Sequence, residues 1–196
     1  MVAFLQQLNE EVAGVAEEVR RSLVQITNGR RGAGAGTIWH ADGLILTNAH
    51  VVGRHGVRIA LPDGRTLPAR LLAYSKRLDL AALSVEAAGL STIELGDSRR
   101  VRPGQLVLAM GHPWGVTGAV TTGVVIDVGV PLEIPRLGRD LIQIDLPLRP
   151  GYSGGPLVDV AGRLIGINAM MAGPEVGLAV PVHEVKRFLR EALSRA

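Results

Sequence analysis

Residues 141–169 read LIQIDLPLRPGYSGGPLVDVAGRLIGINA. Three short apolar runs, Leu141 to Ile144, Leu157 to Val160 and Leu164 to Ala169, stand around one loop rich in glycine and proline. Runs this short, bounded by turn formers, predict strands rather than helices. The same texture extends outward. Leu106 to Met110, Val120 to Val130 and Leu178 to Pro181 flank the stretch. Earlier in the chain come Leu23 to Thr27, Gly36 to Trp39, Leu44 to Thr47, Val57 to Leu61, Leu67 to Leu72 and Leu80 to Val85, with Asp42-Gly43 and Asp63-Gly64 as turn signals between runs. A polar segment, Leu95 to Gly104, parts the two sets. About a dozen strands in two equal halves predict an all-β chain of two antiparallel six-stranded barrels, since parallel sheets need crossover helices between their strands.

Helical periods frame the strands. Phe4 or Leu5, Leu8, Val12, Val15 and Val19 recur at three- and four-residue steps, and Val185, Phe188, Leu189 and Leu193 repeat that spacing near the end. The expected layout is an N-terminal helix over 1–22, a first lobe over 23–98, a linker over 99–105, a second lobe over 106–181 and a C-terminal helix over 182–196. The stripe of the first helix is expected to fold onto the first barrel. Four glutamates precede Arg20 and Arg21 there, which disfavours attachment to a membrane surface.

Composition narrows the function classes. The 196 residues carry 47% hydrophobic and 20% charged side chains, which excludes disorder, and no apolar run approaches the roughly 20 residues of a spanning helix. Cysteine is absent, which excludes disulfides, thiolate metal sites and a thiol nucleophile. No metal or other cofactor is expected. The pI near 9.9 overstates the basicity, because 19 of 21 cations are arginine and the net charge is only +3. Arg30-Arg31 and Arg99-Arg100 are short runs, and two Trp, two Tyr and two Phe offer bases little to stack on. Nucleic acid is therefore not an expected partner. Residues 1–8 lack a basic start and apolar run of the secretory kind. A cytoplasmic setting is expected if the chain is complete, and a periplasmic or other extracytoplasmic one if a leader has been removed.

The loop at Arg149 to Pro156 sets Ser153 among three glycines and two prolines. Such a loop cannot be helical. Its small residues admit a substrate backbone, and the amides of Gly151 and Ser153 can converge on one point, as an oxyanion hole requires. The plain alternative is a turn in which Ser153 has no chemical part. A serine hydroxyl needs a general base and something to orient that base. His50, in TNAHVV at the end of an apolar run, is the leading base. His40, His55, His112 and His183 have no comparable setting. Asp79 in LDLAAL is a carboxylate among leucines, costly unless it accepts hydrogen bonds, and an imidazole is a fitting donor.

The order His, Asp, Ser is that of the chymotrypsin triad. TNAHVV, LDLAAL, LGDSRRVRPGQ, GHPWG, TTGVV, QIDLPLRPGYSGGPLVD and GRLIGINA together resemble the protease domain of the HtrA (Deg) serine proteases, from about Leu23 to Phe188. The resemblance implies a chymotrypsin-like fold, with His50 as base, Asp79 as orienter and Ser153 as nucleophile. It implies cleavage of unfolded or extended polypeptides in protein quality control, and homotrimers formed through the N-terminal segment. It also implies that Gly111 to Gly118 and Val128 to Asp140 rearrange on substrate binding. Tyr152, Pro147 and Arg149 depart from the family pattern GNSGGP and its upstream residues, and all three are expected among the substrate-binding residues. Family members usually carry a PDZ domain after the protease domain, whereas this sequence stops at Ala196.

Charge sets an expectation for specificity. The candidate pocket base, Leu146, Pro147 and Leu148 followed by Arg149, offers no anion to a basic side chain. Asn168, Ala169, Met170 and Leu178 are expected as the opposite wall, and Ile167 to Met171 as the strand that pairs with substrate. Small or medium apolar residues before the scissile bond then fit best. Two other readings stand beside this one: a peptide-binding or chaperone module with an inactive oxyanion loop, and a serine esterase acting on small substrates.

Overall fold

The computed structural model describes residues 2–29, 34–53, 56–131, 134, 139–173 and 175–194. His55, Arg30-Arg31 and most of the 132–138 stretch lie outside the described residues, as do the side chains of Phe4 and Leu193. Helix α1 spans Val2–Arg20. Strands β1 (Leu23–Thr27), β2 (Gly34–His40), β3 (Leu44–Thr47), β4 (Val57–Ala60), β5 (Thr66–Ser75) and β6 (Leu80–Ser84) follow it. They close into a barrel in the order β1-β2-β3-β6-β5-β4.

The second half holds β7 (Leu106–Gly111), β8 (Ala119–Gly129), β9 (Leu141–Asp145), β10 (Pro156–Asp159), β11 (Leu164–Ala172) and β12 (Val176–Pro181), and helix α2 (Val182–Leu193) ends it. These strands close in the order β7-β8-β9-β12-β11-β10, the same winding as the first barrel. All strand pairs are antiparallel within both barrels. The fold is thus the two-barrel, chymotrypsin-like architecture, although the halves share no visible sequence repeat. Strand alternation explains how: what the two halves share is the spacing of apolar positions, not the residues themselves.

Val24, Ile26, Ile38, Ile45, Ile59 and Leu83 fill the first barrel. Val107, Val125, Ile144, Leu157 and Ile165 are among those filling the second. A third cluster joins them, running from Leu46, Leu78 and Leu80 through Leu108, Met110 and Leu141 to Val185 and Phe188. Helix α2 therefore rests on β5 and β6 of one barrel and on β11 and β12 of the other. Its first turn is held by Ser98, whose hydroxyl accepts from the His183 amide at 3.1 Å and lies 2.8 Å from His183 Nδ1.

Helix α1 departs from expectation. Its stripe lies on the second barrel, with Leu5, Leu8 and Val12 beside Leu106, Leu108 and Val160, and Val15 and Val19 over the tight turn at Gly162. At Gly162, φ +77°, a Cβ would lie 3.5 and 3.6 Å from the Val15 and Val19 side chains, so the helix packs directly on the β10–β11 turn. Among the described residues no helix is long and apolar enough to cross a membrane.

Candidate active site

His50 follows β3 on a single turn of 3-10 helix, Ala49–Val51. Asp79 stands in the turn before β6 at φ +51°, a left-handed conformation that costs a non-glycine residue energy and that aspartate tolerates better than most. The turn is fixed from outside. Asn48 Nδ2 donates to the Asp79 carbonyl at 3.0 Å, and the Arg139 guanidinium donates to the Leu78 carbonyl. In this posture the buried Asp79 carboxylate accepts from His50 twice. Nδ1 lies 2.8 Å from Oδ2, and the backbone N–H lies 3.1 Å from Oδ1. A ring held through Nδ1–H keeps its other nitrogen, Nε2, as the basic one.

Ser153 comes from the other barrel, in the connection between β9 and β10. The residues around it are glycine because backbone passes too close for anything larger. A Cβ on Gly154 would sit 2.2 Å from the Ala35 carbonyl oxygen, and one on Gly155 would sit 2.1 Å from that of Met110. The loop is sewn to the first barrel by the Ala35 amide, which donates to the Ser153 carbonyl at 2.8 Å. It is held to its own barrel by Asn168, whose amide donates to the Gly155 carbonyl while its carbonyl accepts from Gly154, both at 2.9 Å. The Ser153 hydroxyl donates to the Ala169 carbonyl at 3.0 Å.

Upstream of Ser153, the Tyr152 amide donates to the Arg149 carbonyl at 3.1 Å. That closes a turn with Pro150 second and Gly151, at φ +108°, third, the pattern of a type II turn. The His112 amide donates to the Gly151 carbonyl at 2.9 Å and anchors the turn from β7. Neither the Gly151 nor the Ser153 amide has an acceptor among the described residues. Two N–H groups are thus left for a ligand.

His50, Asp79, Gly151 and Ser153 line one cleft of about 750 Å³ between the barrels, together with Leu148, Arg149, Ala169 and Met170. Five residues expected at the substrate wall lie elsewhere. Tyr152 is buried in the core of the second barrel, and burial raises its phenol pKa. Ile167 and Leu178 are fully buried inside the molecule, Asn168 is the buried clamp just described, and Pro147 is exposed and does not line the cleft. Ile167, Asn168 and Leu178 stand where β11 and β12 are covered on both faces, so consecutive residues are buried alike and apolarity alone does not reveal which border the cleft. The substrate-pairing edge is also shorter than expected. Ile167 is paired with Pro156 of β10, and Asn168 with Gly154 and Gly155, so the open edge begins at Ala169. Arg149 is not a pocket base, for its guanidinium lies over the Trp114 ring, 4.9 Å from the centroid.

Sequence reasoning missed several neighbours. His112 is buried, accepts from the Gly118 amide at Nδ1 over 3.3 Å, and has no partner at Nε2 among the described residues. Burial lowers its pKa. Arg139 is 8% exposed at the foot of the cleft; burial lowers its pKa, and the fields of Asp79 and Glu184 oppose that. Lys76, Arg77 and Tyr74 form the rim on the first barrel. No signal in the sequence sets these apart from surface charges elsewhere. His40 lies on the surface, and His183 faces the fully buried Ser98, a hydroxyl no substrate reaches.

The trypsin-like peptidase domain family matches residues 34–167, which hold all three members of the constellation. The chain belongs to that family. Serine protease HTRA1 of Xenopus tropicalis is 35% identical over 199 residues, covering 94% of this chain and 43% of that protein. The putative serine protease HhoB of a Synechocystis strain is 38% identical, covering 84% of this chain and 41% of that one. Among solved structures, the HtrA-type protease AlgW with a decapeptide superposes at a TM-score of 0.85 and 27% identity, over 93% of this chain and 67% of that one. Its relatives within the trypsin-like family are thus HtrA-type serine proteases. The chain spans about two fifths of the length of the curated relatives it matches.

Proposed function

We propose that the chain is a serine endopeptidase that cuts extended or unfolded polypeptides through an acyl-enzyme, with small or medium apolar residues favoured before the cut, in the service of protein quality control. The observation that carries this is the 2.8 Å contact of His50 Nδ1 with the Asp79 carboxylate in the cleft that Ser153 also lines. In this reading Ser153 Oγ turns from the Ala169 carbonyl toward His50 Nε2, a side-chain rotation of the fast kind. It attacks the scissile carbonyl carbon as Nε2 takes its proton. The carbonyl oxygen becomes an oxyanion, received by the Gly151 and Ser153 amides. Collapse breaks the C–N bond, and the imidazolium returns its proton to the departing amine. Water, deprotonated by the same nitrogen, then releases the acyl group and restores Ser153. Asp79 stays ionised throughout and stabilises the imidazolium.

Each oxyanion donor is worth roughly 3 to 4 kcal/mol in such reactions. The turn at Arg149 to Tyr152 therefore controls the rate, and the loops that pack on it are its natural regulators. The apolar wall of Leu148, Ala169 and Met170 supports the preference before the cut. The open edge from Ala169 to Ala172 supports recognition of an extended main chain, which adds a strand there. The peptide held by the AlgW structure supports the same substrate class. Casein turnover tests the reading: wild type digests it and Ser153→Ala does not, with equal melting temperatures. Hydrolysis of small esters with casein left intact would favour the esterase, and binding without turnover the chaperone module.

A further inference from the structure

Four cations line the cleft, Lys76, Arg77, Arg139 and Arg149, against the single carboxylate of Asp79. None of the four has a salt-bridge partner among the described residues, a condition they share with Arg20, Arg58, Arg70, Arg99, Arg100, Arg102, Lys186 and Arg190; what sets them apart is that they line one concave groove with a single carboxylate. Asp79 is already engaged by His50. The cleft thus carries a positive excess equal to the +3 of the whole chain. Apolar walls around such a charge focus its field into the groove.

The strand direction says where on a substrate that field acts. β11 runs away from Ser153 as it passes from Ala169, which accepts from the Ser153 hydroxyl, to Ala172. A peptide pairing antiparallel to this edge runs toward Ser153, so its residues before the scissile bond lie along 170–172. Side chains of an extended peptide alternate. With the first residue before the cut against Leu148 and Met170, the second and fourth turn to the opposite wall, where Tyr74, Lys76 and Arg77 stand exposed at the end of β5.

We infer that the cleft selects acidic side chains at the second or fourth position before the scissile bond, through Lys76 and Arg77, with Arg139 adding to the field from below. The inference rests on the endopeptidase reading and narrows its substrates from extended chains in general to acidic ones.

The test is a set of matched fluorogenic peptides with valine before the cut and Glu, Gln or Lys at the second and fourth positions. Exposed pairs of this kind contribute modestly, so kcat/KM is expected to fall from Glu to Gln to Lys by about three- to tenfold overall. The spread should shrink in molar salt, where the screening length drops to about 3 Å. A Lys76→Glu, Arg77→Glu double variant should reverse the order. Equal cleavage of Glu and Lys peptides, or an order unmoved by the double variant, overturns the inference. Binding of the same peptides to Ser153→Ala, followed by fluorescence anisotropy, separates the two claims. Glu-over-Lys binding with no cleavage by the wild type sinks the endopeptidase reading and sustains the acidic site. Equal binding sinks the acidic site whatever the turnover.

Discussion

At Gly151 one backbone angle decides whether the cleft holds an oxyanion site. A φ of +108° with the His112 carbonyl oxygen 2.6 Å from where a Cβ would sit leaves no room for alanine. Gly151→Ala must therefore displace the turn, and with it the amide that the proposed mechanism assigns to the oxyanion. Turnover of a peptide substrate is expected to fall by about 10²–10³-fold, the usual cost of losing one such donor. Far-ultraviolet dichroism should stay that of the wild type, since the turn lies outside both barrels. Retention of full activity would show that the Gly151 amide is not used. Asp79 carries strain of the same origin: its left-handed backbone, pinned by Asn48 and Arg139, brings the carboxylate to His50. The scarce residue types at this scale were legible. A histidine after an apolar run, an aspartate among leucines and a serine among glycines are conspicuous because each is expensive or useless without a partner. Tyr152 and Asn168 share their loop and strand with cleft residues, and nothing in residue type marks them as the ones the fold buries.

The element that governs the turn is the link between β7 and β8. It starts at Gly111, where a Cβ would sit 2.6 Å from both the Gly151 carbonyl oxygen and the Tyr152 Cα. It continues through His112, whose amide holds Gly151 and whose ring is buried and neutral. Burial depresses the folded-state pKa below the ordinary 6.5, so the unfolded chain takes up a proton first as pH falls. The contribution is fully present above about pH 6.5 and is lost as pH drops toward the folded value, at no more than about 1.4 kcal/mol per pH unit. Denaturant midpoints measured from pH 7.5 to 5.0 should decline more steeply in wild type than in His112→Gln. Parallel declines would show that His112 is not the group responsible. Twelve strands and two helices were foreseeable from period and turn chemistry, but the seat of α1 was not. Its stripe says that one face is covered, and the β10–β11 turn and β7 that cover it belong to the far half of the chain.

On the scale of the whole molecule, two barrels of one winding meet along a seam, and the proposed chemistry lies there. The first barrel supplies His50 and Asp79, the second Ser153 and the open edge of β11, and α2 rests across both. A shared core running from Leu46 to Phe188 makes relative movement of the barrels costly. The cleft is accordingly preformed, and what remains adjustable is the Ser153 side chain and the loops above it. The positive balance of the sequence, weak when averaged over the surface, gains meaning only when folding gathers four cations against one carboxylate at that seam. The most direct measurement is covalent labelling with a peptidyl phosphonate, the adduct mapped by mass spectrometry in wild type and in His50→Ala. The account predicts one adduct per chain, on Ser153, whose rate falls by orders of magnitude in the variant. A folded wild-type protein labelled elsewhere, or at the same rate without the imidazole, would contradict it.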